Sequence, residues 1–239
     1  RFFRNHSIDL PLSDNAWFLG SGYCYNCHGP DTAGLASVDA NGNDINLVDD
    51  WRSTMMANSA KDPFWRAKVS HEVLVNPSHQ EAIETTCTSC HAPMGHFNAK
   101  LNGQAHYSIQ EMLNDSTAMD GVSCMACHKI SDENIGSLNS GNIIYDTTNR
   151  MFGPYENPFA ATMFAETGFA PFEAQHVTDA GMCASCHTLI TNTIDLDGNL
   201  TGGTFVEQAT YHEWLNSTYS VTNLTCQGCH MQRIEGEFL

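Results

Sequence analysis

Short amphipathic stretches, each opened by a capping residue, set the rhythm of this chain and predict helices. Asp62-Pro63 is a good N-cap and first-turn pair, leading into Phe64-Trp65-Arg66-Ala67-Lys68-Val69. Asn76-Pro77 predicts a second helix start, running through Glu81 and Ile83 toward Cys87. Ser108-x-x-Glu111 fits a capping box. Asp179 is placed to cap a short helix that reaches Cys183, and Thr210-Tyr-His212-Glu-Trp214-Leu215 is helical in pattern. Two regions read as extended. Residues 142–145 follow the Ser140-Gly141 turn, and 191–194 with 204–206 flank an Asp-Gly turn as a hairpin would. Residues 29–50, rich in Gly, Asp and Asn, predict a loop. Residues 150–172 carry Gly153-Pro154, Asn157-Pro158 and Ala170-Pro171, and predict an irregular connector. The expected fold is mainly α with much irregular structure and a few short β-hairpins. No linker divides the chain, so 1–239 reads as a single domain.

Composition narrows this picture. Hydrophobic residues make up 41% of the 239 positions, slightly below the usual share, so a protein-only core would be small. Lys+Arg total 10 against 27 Asp+Glu, for a net charge of −17. Nucleic acid is excluded as a partner, because phosphate binding needs a basic face. An acidic surface favours solubility and a basic or cationic partner. No run of 18 apolar residues exists, so no membrane span is expected. Asp39-Ala-Asn41-Gly-Asn43-Asp44 and Asp195-Leu-Asp197-Gly-Asn199 loosely resemble calcium loops. Asp44 sits where such a loop needs glycine, and an Asn-Gly or Asp-Gly turn is the simpler reading.

Chemistry enters with the cysteines. All 10 fall into one five-residue pattern, Cys-x-x-Cys-His, that occurs five times. The copies are Cys24-Tyr-Asn-Cys27-His28, Cys87-Thr-Ser-Cys90-His91, Cys124-Met-Ala-Cys127-His128, Cys183-Ala-Ser-Cys186-His187 and Cys226-Gln-Gly-Cys229-His230. A zinc ribbon pairs two Cys-x-x-Cys knuckles and needs no histidine after each. A thioredoxin-like redox pair normally appears once. A disulfide framework rarely repeats one spacing with a fixed histidine. The pattern reads instead as covalent attachment of c-type haem, with two thioethers per porphyrin and the histidine as proximal iron ligand. Five haems leave about 48 residues for each, so most side chains lie near a porphyrin and folding should depend on haem.

The sixth coordination position then decides the chemistry. A protein ligand there makes an electron carrier; an open position lets the iron bind a small molecule. Twelve histidines are present, and seven lie outside the motifs: His6, His71, His79, His96, His106, His176 and His212. Seven candidates suffice for five distal positions, and imidazole suits iron. His79 and His176 lie eight and seven residues before a motif, His96 follows the second motif, His212 sits beside Trp214, and His106 follows a turn. His71 falls mid-helix. His6 lies on an N-terminal arm, which reads either as a tail or as a donor to a neighbouring subunit's haem, a head-to-tail contact that would build a filament. Met55, Met56, Met94 and Met231 are alternative donors, with core packing the simpler role. Trp17, Trp51, Trp65 and Trp214 are candidate packing anchors, and Arg52, Arg66 and Arg150 candidate propionate partners.

From Cys24 to His230 these residues resemble the multihaem c-type cytochromes, the broad group containing tetrahaem cytochrome c-554, pentahaem nitrite reductases, hydroxylamine oxidoreductases and extracellular cytochrome filaments. First cysteines lie 63, 37, 59 and 43 residues apart, loose spacing for the most compact members. The resemblance implies a haem-packed fold, bis-histidine irons and electron transfer. It also implies redox proteins or extracellular acceptors as partners. Pentahaem nitrite reductases carry a proximal lysine at the catalytic haem, whereas all five motifs here end in histidine. A redox enzyme with one open haem, acting on a small nitrogen or sulfur compound, is the alternative function, and an electron-transfer subunit of a larger complex a third. Attachment to such motifs takes place outside the cytoplasmic membrane, so a periplasmic or extracellular location is expected. The opening at Arg1 shows no signal peptide, which fits a removed targeting segment, and the end nine residues after the last motif fits a piece of a longer chain.

Overall fold

The computed structural model describes residues 10–231. About 46% is helix and 13% strand, so the chain is mainly α. Helix α1 (Gly22–His28) leads into the expected long loop, which closes into α2 (Leu47–Arg52) and α3 (Met55–Asn58). Within the loop, Asp39 Oδ1 accepts from the amides of Asn41 and Asn43, each at 2.8 Å. Asp195 makes the same pair of bonds to Asp197 and Asn199. Both carboxylates close their own turns, as Asx turns do.

Helix α4 (Pro63–Val75) starts where the sequence places it. The Asp62 carboxylate accepts from Phe64 N at 2.9 Å, and Pro63 occupies a position whose N–H would be unpaired anyway. The helix stops at Asn76, because Pro77 disfavours helical geometry in the residue before it. A single 3₁₀ turn (Pro77–His79) leads into α5 (Gln80–His91), and α6 (Pro93–Leu101) follows. Helix α7 (Ile109–Asn114) opens with the complete capping box: Glu111 N donates to Ser108 Oγ at 3.1 Å, and Ser108 N donates to the Glu111 carboxylate at 2.8 Å. A buried cluster including Trp65, Val69, Ala99, Tyr107 and Met112 holds α4 to α7 together. Gly95 permits this packing, since a Cβ there would sit 2.5 Å from both Ala118 Cβ and Tyr107 Oη.

Helix α8 (Cys124–His128) belongs to a second cluster, with Phe18, Phe97, Met125, Ile143 and Tyr145. Tyr145 bridges antiparallel to Ile130, in keeping with the extended reading of 142–145. The connector differs from expectation. Strand β1 (Arg150–Gly153), helix α9 (Ala160–Thr167) and strand β2 (Ala170–Glu173) form a parallel pair with Phe152 opposite Phe172. Pro171 is tolerated because both strands of a two-stranded sheet are edges. The fold therefore carries one parallel pair and one hairpin, where hairpins alone were expected.

Asp179 Oδ1 accepts from Gly181 N at 2.7 Å, opening α10 (Gly181–His187). The hairpin follows as β3 (Leu189–Ile194) and β4 (Leu200–Gln208), with Ile190 opposite Val206. Helices α11 (Thr210–Leu215), α12 (Thr218–Val221) and α13 (Cys226–His230) complete the described chain. A third cluster joins Ala180, Ala184 and Tyr211, with Trp214 and Cys226 against it. The interior is thus three small cores, not one. Among the described residues no helix is long and apolar enough to cross a membrane.

Candidate functional site

Each of the five motifs ends a helix, and its histidine is the last helical residue. Residues three and four apart in a helix share a face. Each motif therefore presents two thiols and an imidazole on one side of a helix end. None of the ten cysteines is paired in a disulfide. Burial pushes the Cys87 and Cys183 thiols up to about 12 and Cys127 up to about 11. The Cys90 and Cys124 thiols are shifted down instead, each chiefly by a hydrogen bond with a cysteine of another motif, Cys186 and Cys24 respectively.

The motif helices adjoin one another in a fixed pattern. Ser21, just before α1, donates from N and Oγ to the Asp120 carboxylate at 2.8 and 2.9 Å, and Leu19 N donates to Met125 Sδ at 3.0 Å. This sets the first motif against the third, with the Cys24 and Cys124 thiols adjoining and His28 near His128. Gly141 N donates to Ser185 O at 2.8 Å in the fourth motif. A Cβ on Gly141 would collide with Ser89 Oγ and lie 3.3 Å from Cys90 Sγ in the second. The Gly141 φ of +73° also favours glycine, so this turn seats motifs two and four together, with Cys90 beside Cys186. Gln227 Nε2 donates to Asp179 O at 2.8 Å and Val177 O at 3.2 Å, tying α13 to the start of α10. Cys183 then adjoins Cys226, and His187 lies near His230. Cys186 also packs on the cluster that holds Met125 and Ala126 of the third motif.

Two of the motif imidazoles, His91 and His128, have second partners. His91 Nδ1 lies 3.3 Å from Ser59 O, and its ring stacks on Trp65 at 4.3 Å and 9°. His128 Nδ1 lies 2.5 Å from Phe152 O. A carbonyl that takes the Nδ1 proton fixes the tautomer and leaves Nε2 with its lone pair. Burial lowers the pKa of His28 and His91, which keeps both neutral near pH 7. His187 and His230 are exposed.

The remaining histidines divide by setting. His96 is buried in α6, with Nδ1 3.1 Å from Thr88 Oγ1, and burial lowers its pKa to about 4. His106 has Nδ1 2.9 Å from Thr85 Oγ1 and Nε2 3.3 Å from Glu84 Oε2. It lines a cleft of about 460 Å³ with Glu81, Glu84 and Ser108. His79 and His176 have Nε2 2.8 Å from backbone carbonyls, of Gly198 and Ile130 respectively. His71 and His212 are exposed, with His71 Nδ1 3.7 Å from Glu72. His6 lies outside the described residues. Met94 is fully buried, whereas Met55 and Met231 are exposed. Trp51 donates to Val122 O at 2.9 Å and Trp214 to Leu224 O at 2.8 Å, while Trp17 Nε1 is buried with no hydrogen-bond partner. The arginines meet the protein itself: Arg52 lies 3.7 Å from Asp49, Arg66 donates to Ala60 O, and Arg150 pairs with Asp146.

Sequence reasoning missed the supporting acceptors, Ser59 O and Phe152 O, and the Thr88 hydroxyl. Thr88 lies inside the second motif, and its position eight residues before His96 was the one available signal. Among the described residues no group of three or more His, Cys, Asp or Glu could hold a metal ion unaided. Compared with known proteins, the chain matches no family model, no curated protein and no solved structure.

Proposed function

We propose that this chain binds five c-type haems covalently and passes electrons among them, outside the cytoplasm, between redox-protein or extracellular partners. The carrying observation is that the Cys-x-x-Cys-His pattern closes a helix five times over, with each of these helix ends beside at least one other. The residues fit the group. A porphyrin supplies four of the iron's six donors, so each site needs only a motif histidine and one more ligand, not a cluster of three. Thr188 Oγ1 beside the fourth motif and Gln227 Oε1 inside the fifth are buried without hydrogen-bond partners, as groups awaiting a neighbour would be.

When bound, haem supplies a one-electron ferric–ferrous couple. The chain's part is to hold and tune it. The cysteines of each motif anchor the ring edge. His28, His91, His128, His187 and His230 are the proximal ligands. His96, with Nδ1 on Thr88, is the best-prepared distal ligand, and His79, His106, His176 and His212 are the further candidates. Head-to-tail self-association through His6 is part of the same proposal.

The test is the optical spectrum of the native protein. A purely low-spin ferric spectrum, unchanged by cyanide or nitrite, is expected of a bis-histidine carrier. A high-spin component that shifts on adding either ligand would move the protein to the enzyme alternative.

A further inference from the structure

The five motifs do not meet in chain order. Motif one contacts motif three through Ser21–Asp120 and Leu19–Met125. Motif three shares a core cluster with Cys186 of motif four. Motif four meets motif two at the Gly141 turn and motif five through Gln227 and the Tyr211 cluster. Motif four thus has three neighbours, while motifs one, two and five each adjoin a single other motif in these contacts. Cysteine exposure then separates motifs one and five from motif two. Of the ten cysteines only Cys27 and Cys229 are exposed; the other eight are partly buried.

We infer that electrons cross the chain in the order motif one, three, four, five, with motif two as a side branch on motif four, and that motifs one and five are the ends open to partners. This rests on the haem reading above. With haem held at these motifs, each transfer would move one electron between neighbouring groups, with no bond made or broken. The electron comes from a one-electron donor protein at one end and leaves to a one-electron acceptor at the other.

The connectivity is tested by marking one haem at a time and watching its neighbours by potentiometric titration with electron paramagnetic resonance. His→Met at a proximal position keeps both thioethers and changes that haem's ligand field and potential, so each signal can be assigned from five such variants. Neighbouring charges interact, so a marked haem shifts the titration of those beside it. H28M should shift the signal assigned to motif three and leave that of motif two in place. H230M should shift motif four and leave motif three. The paired losses C24A/C27A and C226A/C229A should give the same pattern, and they carry the test if a His→Met variant does not fold. A shift of motif two on marking motif one would overturn the order.

The ends are tested on the same samples with a soluble paramagnetic chelate. The signals of motifs one and five should relax most, and strongest relaxation at motif two, three or four would refute the assignment of ends. A haem count below five in the wild-type protein would instead remove the haem reading itself, so the two failures are distinguishable.

Discussion

Trp65→Ala is the sharpest perturbation of the region around the second motif. Trp65 is 8% exposed, sits in the cluster joining α4 to α7, and stacks on His91 at 4.3 Å. Removing a buried tryptophan costs about 3–5 kcal/mol. Of that, about 0.5–1.5 kcal/mol reflects the ring-on-ring geometry beyond simple burial. The loss should appear as a lowered urea midpoint with an unchanged slope, followed by far-UV circular dichroism on the native protein. Trp65→Phe keeps a ring over His91 and should lose less. The two variants separate volume from orientation: the alanine variant should also broaden the low-spin signal of the haem proposed at His91, and the phenylalanine variant should not. An alanine variant within about 0.5 kcal/mol of wild type would refute the reasoning, because that is the range of ordinary surface substitutions.

Other consequences are as direct. Ser108→Ala removes the capping box of α7 and should cost about 1 kcal/mol, read as a lower thermal midpoint. Thr88→Val leaves His96 Nδ1 without its hydroxyl partner and should cost about 1–3 kcal/mol while altering one haem signal; an unchanged spectrum would remove His96 as a ligand. Asp120 is buried, and burial raises its pKa, offset in part by the bonds from Ser21 N and Oγ. Its contribution is therefore fullest below the unfolded value of about 4 and is lost as pH rises through the higher folded value. Wild-type stability relative to Asp120→Asn should fall as pH is raised from about 4 to about 6 in urea titrations, and a flat or rising difference would contradict this.

Local chemistry was legible in the sequence. Asp62-Pro63, Ser108-x-x-Glu111 and Asp179 each carry their own signal, because a cap needs only residues within one turn of itself. The hairpin was legible for the same reason. The parallel pair at 150–173 was not. Its three prolines suggested irregular chain, and nothing local announces that Arg150 will pair with Ala170 across a helix. The five motifs were plain from spacing, but which motif meets which was hidden. Those contacts depend on bonds such as Ser21 to Asp120, 99 residues apart, and Gln227 to Asp179, 48 apart. The histidines outside the motifs were countable but not placeable. His79 meets Gly198, 119 residues away, and no pattern near either residue signals that encounter.

Covalent haem at five positions is the claim on which the functional account stands. Intact-mass spectrometry of the native protein after acid–acetone extraction addresses it directly. The expected mass exceeds that of the bare polypeptide by five haems that resist extraction. The bare polypeptide mass, or fewer than five retained haems, would contradict it.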